Sequence, residues 1–374
     1  MSPSKATSRP SSGPVHVALV AGEGTLNRVG RVVQHLTVGL IDEPLSLMLV
    51  ASELDDVSSL PCPPMEVLRY MAPRPWRFRR RVVEPLAAQL LEEGAEVLHA
   101  LDTSAHGLTR AIASAVDLPY LLTVWGLTEV RHLAGVAPEC RGVLAVSTPV
   151  QEALLSGHGV PPDLVHVIRP GVHQGPPRGP GEQAAGRSRA ILAAGQFDPS
   201  GPFEAIIRAF HELRQRGSDC VLFLLGEGPA EHRLRQLAAQ LGLMHQVTFV
   251  DRLGQTQLPG IFSAADLFIY PRSDRQFELE LLEAMAAGVP VLVGDCCVGD
   301  FTHEGLTSIS YRPNDAADLL SKLRTLLDEP ASAAALAEGA RRYLREHHSP
   351  ARMVAATAEL YRKFALSERT LKLA

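Results

Sequence analysis

The chain is poor in aromatic residues, 5% in all with only two tryptophans, and no apolar stretch approaches the ~18 residues that a membrane-spanning helix needs. It has no excess of basic residues: 36 Lys and Arg stand against 41 Asp and Glu, for a net charge of -5. A general nucleic-acid binder needs the opposite balance, so that class is excluded. The five cysteines (Cys62, Cys140, Cys220, Cys296 and Cys297) lack metal-ligand spacing and read as reduced core thiols. The fourteen histidines include no pair at ligand spacing backed by a carboxylate, so they read as surface residues and no metal site is expected. Neither Ser147 nor Ser308 has nucleophile-elbow surroundings. In Gly22-Glu-Gly-Thr-Leu-Asn-Arg-Val-Gly30 the last glycine comes too late for a dinucleotide fingerprint. That loop reads instead as a tight strand-to-helix turn, with Gly24 on the acceptor side of a cleft.

With 374 residues and 46% hydrophobic content, the chain suits two globular domains of about 150–200 residues each. Residues 1–14, rich in Ser and Pro, read as a disordered tail with no secretory leader. From Val15 onward short apolar runs alternate with amphipathic stretches. Val15–Val20, Leu45–Val50, Glu66–Tyr70, Val97–Ala100, Tyr120–Val124, Val143–Val146 and Val165–Ile168 read as strands, with helices at Val29–Leu40, Val82–Glu92 and Leu108–Ala115. Residues 15–172 form the first domain on this reading. Residues 173–188, dense in Pro and Gly, are a linker.

The alternation restarts with strand Ala190–Ala194 and a helix carrying Phe203, Ile206, Ile207, Phe210 and Leu213 on one face. Strands Val221–Leu225, Val247–Val250, Leu267–Tyr270 and Val289–Val293 follow, with a helix opening at Pro229. After Asn314 the pattern is helical almost to the end. Residues 189–348 therefore form the second domain, and 349–374 a terminal helix. Strands alternating with helices imply parallel sheets covered on both faces, with ligands outside the carboxyl ends of the strands.

The segment from Ala265-Asp-Leu-Phe-Ile-Tyr-Pro271 to Leu282-Glu-Ala-Met-Ala-Ala-Gly-Val-Pro290 resembles the donor-site signature of family-four retaining glycosyltransferases. Other landmarks of that family fall in order: Val97-Leu-His-Ala100, Ala145-Val-Ser147, Val167-Ile-Arg-Pro-Gly-Val172 and Leu225-Gly-Glu-Gly-Pro229. The resemblance covers roughly residues 15 to 365. It implies the GT-B fold, two doubly wound Rossmann-like domains facing a central cleft, with the last helix crossing back to the first domain. It also implies a nucleotide sugar as substrate, no metal or other cofactor, and transfer with retention.

What the resemblance implies for single residues is mixed. Glu283 falls where the family holds the donor ribose. Gly226 and Gly228 fall in its glycine turn, and Phe277, Glu278 and Leu279 in its donor loop. Four charged or titratable positions of the family are exchanged. Gln196 and Gly201 stand where an Arg and a Lys grip the diphosphate, and Arg275 where a Glu contacts the transferred sugar. Trp125 stands where a His faces the reaction centre, and Glu278 replaces a loop glycine. Leaving-group charge in such transfer is held by cations and oriented N–H groups. The exchanges therefore set a second expectation beside the enzyme: a binding or partner protein that keeps the fold with impaired transfer, its cleft retuned toward another anionic small molecule. Arg74, Arg77, Arg79, Arg80 and Arg81, with Trp76 and Phe78, read first as a solvated helix start and second as a contact with anionic lipid headgroups. The expected location is cytoplasmic, with peripheral membrane contact as the variant.

Overall fold

A computed structural model describes residues 13–57, 60, 65–71, 80–157, 159–175, 187–199, 201–250, 258–271, 277, 279–294 and 299–372. The N-terminal half contains β1 (Val15–Val20), α1 (Thr25–Gly39), β2 (Leu45–Ser52), β3 (Glu66–Tyr70), α2 (Arg80–Glu92), β4 (Val97–Ala100), α3 (Thr103–Val116), β5 (Tyr120–Val124), α4 (Leu127–His132), β6 (Cys140–Ala145), α5 (Thr148–Leu155) and β7 (Val165–Val167). The C-terminal half contains β8 (Arg189–Ala194), α6 (Phe203–Gln215), β9 (Cys220–Leu225), α7 (Glu231–Gln240), β10 (Val247–Val250), α8 (Leu258–Ala264), β11 (Leu267–Tyr270), α9 (Leu279–Ala286), β12 (Val291–Gly294) and β13 (Ile309–Tyr311). Helices α10 (Ala316–Asp328), α11 (Pro330–His347) and α12 (Pro350–Lys372) complete it.

Each half holds one sheet, and every strand pairing is parallel. The first runs β3-β2-β1-β4-β5-β6-β7 and the second β10-β9-β8-β11-β12-β13. Both orders step outward from their first strand in one direction and then in the other. The switch points lie between β1 and β4 and between β8 and β11, where connections diverge and leave a crevice. Apolar side chains on both faces of the central strands explain this placement. Val17, Ala18, Leu19 and Val20 of β1 are all fully buried, as parallel strands covered by helices must be. The fold is the one implied by the resemblance, two Rossmann-like α/β units.

Three details depart from the sequence reading. The helix expected to open at Pro229 begins at Glu231, because Gly226 to Ala230 are used in a turn. β12 begins two residues later than expected, and β13 carries too short an apolar run to be read as a strand. The third concerns histidine. His99 and His348 are 2% and 0% exposed, and His106 is buried as well, so the expectation of surface histidines fails for these three. Each is admitted by a hydrogen bond to its ring: Tyr361 and Thr123 for His99, Tyr120 for His106, and the Pro170 carbonyl for His348. Of the cysteines, Cys140 and Cys220 are buried free thiols, and Cys62, Cys296 and Cys297 lie outside the described residues.

Helix α12 returns from the second half to pack on α1, β1 and β4. Gly39 of α1 permits that approach, since a Cβ there would meet Val354 Cγ2 at 2.4 Å. Met353, Val354, Tyr361 and Phe364 are buried, each large side chain contributing on the order of 1.5–3 kcal/mol. A buried hydrogen bond of 2.6 Å joins the Tyr361 hydroxyl to His99 Nδ1.

Candidate functional site

In the C-terminal half, the loop after β8 and the turn after β9 are joined through backbone atoms. Gly195 N–H donates to Leu225 O (3.0 Å), Phe197 N–H to Glu227 O (2.9 Å), and Ala230 N–H to Phe197 O (2.9 Å). Gly226 and Gly228 adopt φ of 148° and 156°. A Cβ at Gly226 would lie 1.9 Å from Gly195 O, and one at Gly228 2.5 Å from Phe197 O. Only glycine fits both the conformation and the contact. Phe197, fully buried, anchors the loop against Phe203 and Phe249. Gln196 is left exposed on this edge, and Gly201 closes the loop with its N–H on Asp198 O (2.9 Å).

Glu283 sits on α9, 7% exposed. Arg31 of α1 reaches it from the other half, with Nε 2.9 Å from Oε1 and Nη1 3.3 Å from Oε2. Burial pushes the Glu283 carboxyl up to about 7, against the pull of Arg31, and the nearby Glu280 adds to the rise. The halves touch again beside this pair. Phe277 N–H donates to Trp125 O (3.3 Å), and the two rings lie 6.0 Å apart. Trp125 is 5% exposed and its indole N–H donates to Leu101 O (2.8 Å). It also closes one side of an apolar cavity of about 40 Å³ with Val32, Leu36, Leu144, Ile168 and Met353. Its ring is packing, with no capacity for proton transfer.

The cleft edge of the N-terminal half is built differently, from charged side chains. Asp102 caps α3 through Ala105 N–H (3.1 Å) and accepts from Ser104 Oγ (2.6 Å) and Thr25 Oγ1 (2.7 Å). Arg28 spans Asp102 (2.7 Å) and Glu129 (2.6 Å), and Glu129 accepts the Trp125 N–H (2.9 Å). Burial works against the Arg28 charge, but Glu129 and Asp102 outweigh it and its pKa rises above the ordinary value. For Glu129 burial wins over Arg28, and its carboxyl is raised. Gly22 lets the first turn touch the fourth, since a Cβ there would meet Ser104 Oγ at 2.0 Å. Gly24, at φ 79°, donates its N–H to Asp55 (2.9 Å).

A third contact between halves lies at the N-terminus of α5. Asp300 Oδ2 accepts from Thr148 N–H (3.2 Å), Thr148 Oγ1 (2.9 Å) and Arg169 Nη2 (2.6 Å). Burial opposes the Asp300 charge, yet the Arg169 and Thr148 bonds prevail and hold the carboxyl below its ordinary range.

The structure thus brings Gln196, Gly201, Gly226 and Gly228 to one edge and joins Glu283, Phe277 and Trp125 to the opposite half. Leu279 opens α9. Arg275, Glu278, Arg77 and Arg79 lie outside the described residues; Arg81 is exposed. Among the described residues no group of three or more His, Cys, Asp or Glu could hold a metal ion, and no helix is long and apolar enough to cross a membrane. Sequence reasoning passed over Arg28, Arg31, Asp102 and Glu129. Asp102-Thr-Ser ahead of an apolar run was a legible helix cap, but nothing local marks an arginine on α1 as the partner of a glutamate 252 positions away.

The two sheet orders, with a cleft between their carboxyl edges, define the class: a GT-B glycosyltransferase fold. Two family models match, glycosyltransferase family 4 over residues 29–174 and glycosyl transferases group 1 over residues 181–343. The chain belongs to these glycosyltransferases. It is 26% identical over 298 residues to a glycogen synthase of Mycobacterium tuberculosis, covering 73% of this chain and 70% of that one. It is 28% identical over 224 residues to a D-inositol 3-phosphate glycosyltransferase of Rhodococcus jostii, of which it spans about half, 49%. The Anabaena HepE structure in complex with UDP and glucose superimposes with a TM-score of 0.74 at 14% identity, over 92% of this chain and 98% of that one.

Proposed function

We propose that the protein transfers a sugar from a nucleotide-sugar donor to an acceptor, with retention at the anomeric carbon. On this reading the donor lies between the carboxyl edges of the two sheets. Glu283 accepts the ribose hydroxyls, and the diphosphate meets the loop 195–202, the turn at Gly226 and Gly228, and the N-terminus of α6, where helix N–H groups carry partial positive charge. The observation that carries the reading is Glu283 itself, a buried carboxylate following β11, the strand at the switch point of the second sheet. The UDP held by the Anabaena neighbour supports a nucleotide diphosphate as the common ligand. The relatives carry the names of synthases and transferases, which supports transfer over a protein that only binds.

Gln196 and Gly201 give that diphosphate no cation. Charged hydrogen bonds contribute about 1.5–3 kcal/mol each, so the donor is expected to bind weakly for a nucleotide-sugar enzyme. Thermal shift and calorimetry against UDP, GDP and ADP, each with its sugar nucleotides, test the proposal, with product linkage read by NMR. A ligand at a hundred times its Kd stabilises by about 2.7 kcal/mol, a shift easily resolved. Gln196→Arg with Gly201→Lys should tighten the binding nucleotide at least tenfold. The Cβ at position 201 would sit 3.0 Å from Asp198 O, a contact that needs only a few tenths of an ångström of relief. No stabilisation by any nucleotide, in parent or double variant, would refute the assignment.

A further inference from the structure

The ribose carboxylate of this cleft is held by a residue of the opposite half. Arg31 lies in the middle of α1, between Val29, Val32 and Val33, which face the core of the N-terminal half. One turn earlier, Arg28 serves carboxylates of its own half; Arg31 instead crosses to Glu283. Nη1 donates to Oε2, and Nε lies 2.9 Å from Oε1 as an ion-pair contact, so Arg31 stands against both oxygens and saturates neither. An ionised carboxylate has about four lone-pair sites, and one on each oxygen is left for a further donor. A ribose presents two neighbouring hydroxyl donors.

We propose that Arg31 is a positioning residue for the nucleotide: it fixes the Glu283 carboxylate as a two-oxygen acceptor for the ribose hydroxyls, and does so only when the two halves are together. The inference rests on the donor-site reading given above. Among the described residues two charged groups act on this carboxylate, Arg31 from α1 and Glu280 from the preceding turn of α9. Arg341 of α11 is committed to the Ala286 carbonyl at the other end of α9, which its Nη1 bonds (2.8 Å). β12 and α8, also packed on α9, bring no ionisable side chain. Among the described residues Arg31 is therefore the cation in direct contact, and without it burial leaves the carboxyl protonated over a wider pH range. A protonated carboxyl has lost one acceptor site and gained a donor.

The test compares the parent with Arg31→Met, Arg31→Lys and Glu283→Gln. Calorimetry measures binding of UDP, GDP and ADP and of their 2′-deoxy counterparts between pH 6 and 8. The parent should prefer the ribose form ten- to a hundredfold at pH 8, as expected for one hydrogen bond to a charged group, with the preference falling toward pH 6. Arg31→Met should reduce the preference to about threefold or less at pH 7, with partial recovery at higher pH. Arg31→Lys should keep most of it, and Glu283→Gln should be flat with pH. A folded Arg31→Met protein with the parent's preference and pH profile overturns the proposal. So does one that binds the ribonucleotide more tightly, which would make the pair a latch that the nucleotide must break. If Arg31→Met does not fold, Arg31→Lys and Glu283→Gln still decide, since a parent-like pH profile in Glu283→Gln also overturns it. Failure of every nucleotide to bind the parent removes the donor-site reading and this inference together, whereas nucleotide binding without a ribose preference removes the inference alone.

Discussion

The two edges of the cleft are made by opposite means. On the C-terminal side the loop after β8 and the turn after β9 are held by main-chain hydrogen bonds and two glycines at positive φ. On the N-terminal side the equivalent turns are held by side chains: Asp102, Thr25, Ser104, Arg28 and Glu129 in one charged network. A backbone-made edge has few degrees of freedom and tolerates changes at exposed positions such as Gln196, but none at the contact glycines. A charge-made edge depends on every partner, since removing one leaves another desolvated and unpaired. The C-terminal edge is thus rigid by steric necessity, and the N-terminal edge by electrostatic balance.

The buried and half-buried histidines separate the halves most strongly. His35, His99 and His106 belong to the N-terminal half and His348 to the crossing segment. Burial, the dominant cause in each, depresses the pKa to about 4, 3, 4 and 4. All four lie below the ordinary value near 6.5, so the unfolded chain takes up protons first as pH falls. Stability is present in full above about pH 6.5 and lost between there and pH 4. Each group contributes a slope of about 1.4 kcal/mol per pH unit, so a loss of several kcal/mol is expected by pH 4.5. Glu283 has the opposite sign, gaining stability as pH falls from 7, but one group cannot offset four. Melting temperature against pH checks this, and hydrogen exchange at pH 5 should show the N-terminal half opening first. Equal loss of protection in both halves would contradict it.

Gly226→Ala should be the most damaging single change on the backbone-made edge. It combines a disfavoured φ with a Cβ 1.9 Å from a carbonyl oxygen, and a loss on the order of 3 kcal/mol or more is expected. Asp102→Ala should be the strongest on the charge-made edge. It removes a helix cap and leaves Arg28, a third exposed, with Glu129 alone, for a loss of about 2–3 kcal/mol. Gly24→Ala sharpens the contrast at the small end. Its φ of 79° is equally left-handed, but a Cβ there meets nothing within 4 Å, so only the conformational cost of about 1 kcal/mol applies. Denaturant titrations of the three variants should return that order. A Gly24→Ala loss as large as that of Gly226→Ala would show that φ, and no contact, sets the cost at both.

The sequence by itself determined the alternation of strands and helices and the break before Ala190. It also carried the glycine turn after β9, because periodicity and φ preference are properties of neighbouring residues. It brought Glu283 into view through the motif around it. Tertiary structure alone decided that Arg31 meets Glu283, that Trp125 packs under Phe277, and that Asp300 caps α5 from the other half. It also decided that His99 is buried against Tyr361. Those pairs are separated by 152 to 262 positions. No local pattern encodes them, because their energies exist only once two sheets and a returning helix have brought the chain's distant parts into contact.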